Sequence, residues 1–156
     1  MKKLLKSLFA ELCRATGLVS LLLLLACLPG LGSAASANES RIRAELEAAT
    51  TDTLRCRLYG ELAWELKFVN NAEAYRLAEE EIKLAGKDPL RLADAYRTQA
   101  LVKVINNELA EGLKLYQIAI DNARKANSEF YEASCYSLIA GMYQDLGDYD
   151  QALHYY

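Results

Sequence analysis

The chain has 156 residues, with 18 basic and 21 acidic side chains and a net charge of −3. A balance on the acidic side gives no counterion-release drive toward DNA or RNA, so a nucleic-acid partner is not expected. Four cysteines are present, but the two at Cys13 and Cys27 fall in a leader-like segment, so no disulfide framework is expected.

That segment opens with Lys2, Lys3, Lys6 and Arg14. A charge-free apolar run from Gly17 to Leu28 follows, Pro29 and Gly30 break it, and Ala35-Ser36-Ala37 offers small residues at the two positions a signal peptidase reads. This order is that of a secretory signal peptide over residues 1–37, with cleavage after Ala37 and export to the periplasm. The apolar run is shorter than the roughly 18 residues that argue for a spanning helix. Two alternatives are an uncleaved membrane anchor formed by residues 17–28 and lipidation at Cys27, since Leu24-Leu25-Ala26-Cys27 loosely resembles a lipobox. Leu25 is unusual at its place in that box. Without residues 1–37 the chain keeps 14 basic and 20 acidic residues, a net of −6.

Residues 38–52 read as a lead-in helix, from Glu39 to Ala49, and a linker, with Ile42 and Leu46 at i, i+4. Thr50, Thr51 and Asp52 interrupt the helix and offer caps for the next one. A helix from about Thr53 to Phe68 carries Leu54, Leu58, Leu62 and Leu66 at i, i+4 spacing. Asn70-Asn71 makes a turn, and Asn70 with Glu73 fits a capping box. The helix beyond it runs to about Leu84 with Ala74, Leu77, Ala78 and Ile82 inward. Gly86-Lys87-Asp88-Pro89 is the clearest break: Gly86 suits a left-handed C-cap, Asp88 an N-cap, and Pro89 the first helical position. Helices over about Pro89–Ile105 and Glu108–Lys125 follow, turned by Asn106-Asn107. Asn127 and Ser128 cap another that reaches about Leu146, and Gly147-Asp148 makes the last turn, with Asp148 and Gln151 as a capping box. Gly60, Gly112 and Gly141 lie inside helices, where close packing is expected. No stretch alternates with period two for long enough to be a strand.

Two stretches superimpose at a shift of 40 residues: Ala93, Tyr96, Ala100, Gly112 and Tyr116 return as Ala133, Tyr136, Ala140, Ala152 and Tyr156. Leu113 answers to Leu153 and Leu109 to Tyr149. Each copy is a two-helix unit that buries its apolar face only by stacking on its neighbours. Cys56 and Cys135, 79 residues apart, fall in the first and third copies, too far apart for a bridge, and are expected to be small buried residues.

Ala140, Tyr143, Gly147-Asp148-Tyr149, Ala152 and Tyr156 stand at the spacings of a tetratricopeptide repeat (TPR), and the chain resembles that family over residues 53–156. The match is strong in the third repeat, good in the second and moderate in the first. The resemblance implies an all-α, right-handed TPR-type solenoid of antiparallel helix pairs. Its repeats would run at about 53–88, 89–127 and 128–156, the last incomplete. The 40-residue period looks like the exported TPR regions of bacterial sensory proteins, which often precede a membrane helix and a histidine kinase, nucleotide cyclase or DNA-binding output domain. No such domain is present, and the chain reads as a fragment of a longer gene.

The expected function is a non-enzymatic protein–protein interaction module; the alternative is the sensory input region of a truncated signal-transduction protein. Neither catalysis nor a cofactor or metal is expected. There is one histidine, His154, and no phosphate loop, metal-binding His/Glu pair or Cys-x-x-Cys occurs. Glu79-Glu80-Glu81 reads as a solvated helix face, and the ten tyrosines mostly as packing residues. The family's groove positions, carried onto this chain, are Arg57, Trp64, Lys67, Asp94, Arg97, Leu101, Val104, Ile105, Ser137, Gly141 and Gln144. The lysine and asparagines of a carboxylate clamp are missing, since Gly60, Trp64, Leu101 and Gly141 occupy those places. A mixed apolar groove with a few cations would take a protein helix or an extended peptide. Self-association through the open C-terminal end is a further expectation, because Leu153, Tyr155 and Tyr156 have no following repeat to cover them.

Overall fold

The computed structural model describes residues 36–156, which hold seven helices and no strand. Residues 1–35 of the leader, which include the Cys27 lipidation site and the 17–28 anchor, lie outside the described residues. No helix among those described is long and apolar enough to cross a membrane.

The helices are α1 (Ala37–Ala48), α2 (Asp52–Leu66), α3 (Asn71–Ala85), α4 (Pro89–Ile105), α5 (Leu109–Lys125), α6 (Glu129–Asp145) and α7 (Tyr149–Tyr155). α1 starts two residues before the expected Glu39, because the Ser36 hydroxyl accepts from the Glu39 amide at 3.0 Å. A cut after Ala37 would remove that cap. Thr51 caps α2, which begins at Asp52 and ends at Leu66, slightly short of the expected Phe68. At α3 the Asn70 carboxamide accepts from the Glu73 amide at 3.2 Å. The return bond differs from a standard capping box: the Asn70 side-chain amide donates to the Glu73 carboxylate at 2.9 Å. Asp88 caps α4 with Pro89 at its first position, as expected. Glu108, in contrast, precedes α5 without any side-chain cap.

Three helix ends close in the same way. After α4 the Glu108 amide reaches back to the Lys103 carbonyl at 2.8 Å and the Asn107 amide to the Val104 carbonyl at 2.9 Å. The pattern repeats after α5 (Ser128 to Ala123, Asn127 to Arg124) and after α6 (Asp148 to Tyr143, Gly147 to Gln144). Each is a Schellman closure that needs one residue at positive φ. Asn107 (64°), Asn127 (51°) and Gly147 (77°) supply it. Asn127 therefore ends α5, and Ser128 alone caps α6. Gly86 also has positive φ (58°), but its ψ of −101° lies outside the left-handed helical region expected for it.

α2/α3, α4/α5 and α6/α7 are the three pairs, with α1 packed on α2. Their first members, α2, α4 and α6, touch one another in succession, while the second members α3, α5 and α7 do not. The second member of each pair also packs on the first member of the next, α3 on α4 and α5 on α6. Within each pair a small residue marks the crossing: Ala63, Ala100 and Ala140 are fully buried. At Gly112 a Cβ would lie 2.7 Å from Val104 Cγ2 and 3.1 Å from the Ala100 carbonyl oxygen, so glycine is what lets α4 and α5 approach. Gly60 is similarly confined, but by the Glu81 carboxyl. Gly141 is not at a close approach: nothing lies within 4 Å of its added Cβ.

The main core gathers Ala100, Leu101, Tyr116, Ala119, Ile120, Cys135, Ile139 and Met142 between the second and third pairs. Cys56 and Cys135 are buried free thiols, as expected. Burial pushes them up to about 11 and about 12 respectively, away from thiolate chemistry. Among the tyrosines only Tyr116 is fully buried; seven are half-buried, with Tyr149 and Tyr156 exposed.

Candidate functional site

The face made by α2, α4 and α6 carries a ladder of cations and aromatic rings. The Arg97 guanidinium on α4 lies 3.7 Å from the Trp64 ring centroid on α2 and 5.0 Å from that of Tyr131 on α6. It donates to Asp94 at 2.7 Å and to the Ser134 hydroxyl on α6 at 2.9 Å. One planar side chain thus joins three helices, a role for which the guanidinium's fork and its affinity for ring faces suit it. Lys67 follows at the C-cap of α2: its ammonium lies 4.0 Å over the Trp64 ring and donates to the Trp64 carbonyl at 2.8 Å. Burial holds that ammonium below its usual range.

The expected groove residues separate into three groups. Trp64, Lys67, Asp94 and Arg97 come together in this ladder, where Asp94 and Arg97 are buried and Trp64 and Lys67 half-buried. Leu101 is buried in the core, and Val104 is turned toward Gly112 inside the α4/α5 pair. Ile105, Ser137 and Gln144 are exposed, and Gly141 borders open space. Gln144 accepts from the Tyr156 hydroxyl at 3.3 Å. Arg57 lies elsewhere. It pairs with Glu61 at 3.2 Å and lines an open cavity of about 610 Å³ together with Thr51, Cys56, Leu84, Asp88 and Arg91.

Tyr131 and Ser134 belong to the ladder and were not among the expected residues. Ser134 had a signal: it stands 40 residues after Asp94, at the same place in the next copy. The acidic run at 79–81 needs a correction. Glu79 faces solvent and Glu80 is part-exposed, but Glu81 is fully buried. Ala74, Ala78 and Glu81 are spaced i, i+4, i+7 and share the buried stripe of α3. Both Glu81 carboxyl oxygens lack a hydrogen-bond partner. The nearest cation is Arg91, 3.7 Å away on α4.

Among the described residues no group of three or more His, Cys, Asp or Glu side chains is arranged to hold a metal ion. No family model, curated protein or solved structure matches the chain.

Proposed function

We propose that the chain is an exported, non-enzymatic interaction module built as a right-handed TPR-type solenoid, and that it binds a protein helix or extended peptide along the face of α2, α4 and α6. The observation that carries this reading is the arrangement of that face. Its framework is fixed by the buried Arg97–Asp94 pair and the Trp64 and Tyr131 rings. Its accessible surface offers Ile105, Ser137, Gln144 and the uncrowded backbone at Gly141. A rigid scaffold with small or adaptable groups on its surface admits a second chain at low ordering cost. The TPR assignment is supported by three helix pairs with buried alanines in their first helices and by the 40-residue return between the second and third pairs. Export is supported by the order of basic, apolar and small residues before Ser36.

Site-specific photo-crosslinking of the full chain in the producing cell tests the proposal. A photoreactive residue at Gln144 or Ser137 should yield a discrete protein adduct, and the same probe at exposed Lys114 on α5 should not. Gly141→Arg should abolish the Gln144 adduct while the circular dichroism spectrum stays unchanged. Adducts of equal yield from Gln144 and Lys114, or none from either groove position, would refute the binding face.

A further inference from the structure

Glu81 is a carboxylic acid enclosed by the first two helix pairs, and no donor among its surroundings is hydrogen-bonded to its carboxyl oxygens. From α2 comes Gly60, whose missing Cβ leaves the space the carboxyl fills; an added Cβ would lie 2.6 Å from either oxygen. Cys56 on the same helix donates its thiol to the Glu81 backbone carbonyl at 3.5 Å, so nothing from α2 reaches the carboxyl as a donor. From α4 come Arg91, Asp94 and Arg97. Arg97 gives its two terminal nitrogens to Asp94 and Ser134, and its buried Nε is without a partner and makes no bond to Glu81. Arg91 stands 3.7 Å from Glu81 and 3.8 Å from Asp94, within ion-pair range of both and hydrogen-bonded to neither. Asp88, in the α3–α4 turn, adds a second negative charge, and Tyr131 from α6 sits beside Asp94.

A buried carboxylate with no hydrogen bond is costly, whereas a neutral carboxyl in the same place is far less so. We propose that the joint between the first two helix pairs is a protonation-dependent clasp, closed by Glu81 as a neutral carboxyl and opened when Glu81 becomes a carboxylate. Burial, with Asp94 adding repulsion, pushes the Glu81 carboxyl up to about 9. The cation within reach of an ionised Glu81 is Arg91, which lines the open cavity between the start of α2 and the α3–α4 turn. Ionisation therefore draws the carboxylate away from Gly60 and toward that cavity, loosening α3 against α2 and α4. Arg97, whose charge acts on Glu81, also carries the stack on Trp64 from α4 to α2, so opening of the joint alters the face to which binding is assigned above. The inference itself concerns the fold and stands whether or not that face binds.

The direction of the linkage follows from the raised value. The unfolded carboxyl ionises near pH ~4.3, and the folded one near 9. The stabilising effect is fully present below the unfolded value and is lost as pH rises through the folded one. Between them each pH unit lowers the folding equilibrium constant by up to about tenfold.

Urea denaturation of the full chain between pH 5.5 and 8 reads this, in a range below the titration of free thiols near ~8.5. The wild-type chain should lose stability steadily across the range, and Glu81→Gln should show a slope smaller by nearly one proton. Equal slopes in the two proteins would overturn the proposal. A direct measurement does not depend on the variant folding: the side-chain carbon resonance of labelled Glu81 in the wild-type chain. It should hold its neutral-acid shift through pH 7, and titration in the ordinary carboxylate range would overturn the clasp.

Discussion

Arg97 ties three helices together through one side chain, and its removal should show how much of the ladder is structural. Arg97→Met keeps the length and the apolar stem but leaves Asp94 buried with only Arg91, 3.8 Å away, to balance it. Breaking one partner of a buried pair costs about 3–5 kcal/mol, which a shift in urea midpoint will show. Arg97→Lys should recover part of that loss, since an ammonium keeps the charge but cannot stack flat between Trp64 and Tyr131. A second comparison concerns the helix crossings. Ala140 is fully buried where α6 meets α7, and Lys114 is exposed on α5. Ala140→Leu should cost about 1–3 kcal/mol by overpacking, and Lys114→Leu should fall within about 0.5 kcal/mol of the parent. Equal midpoints would mean that the faces of these helices are wrongly assigned.

At the scale of the element, the helix ends are the parts most directly written in the residues. Asp88-Pro89, Ser128 and Gly147-Asp148 announce helix starts because each residue type answers a specific backbone need there, an unpaired amide or a fixed φ. Asn107 and Asn127 do the same for the closures, which require a left-handed residue. Asn127→Gly should therefore be nearly neutral, while Asn127→Val should cost about 1–2 kcal/mol in thermal or urea unfolding. Asp148→Ala should cost about 1 kcal/mol, because the carboxylate accepts from the Gln151 amide at 3.1 Å. The α4 boundaries match the expected ones for this reason, and the 40-residue return located the second and third helix pairs. What the pattern concealed is telling. Glu81 reads as surface by residue type, and only its place on the Ala74–Ala78 stripe indicates burial. That three successive helical residues point in different directions means one of them can point inward. The groove suffered the opposite error: Asp94 and Arg97 read as available charges, whereas they are buried and paired with each other. A family position states where a side chain starts, and its partner decides whether it reaches solvent.

On the scale of the whole molecule, stability is distributed by neighbourhood. α4 touches α2, α3, α5 and α6, while α7 touches only α6. The same positions in successive copies show the effect: Tyr116 is 0 % exposed and its counterpart Tyr156 is 70 % exposed, and buried Ala93 answers to exposed Ala133. In a stack of this kind stability is close to a sum of repeat and nearest-neighbour terms, and a helix of seven residues has little stability without packing. The central claim, that the molecule is a linear array of helix pairs each held by its neighbours, is tested most directly by native-state amide hydrogen exchange on the full chain. Protection should be highest in α4 and fall in steps through α5 and α6 to α7, with Ala152 to Tyr155 exchanging first among helical amides. Uniform protection from α2 to α7, with Ala152 to Tyr155 as slow as the amides of α4, would contradict it.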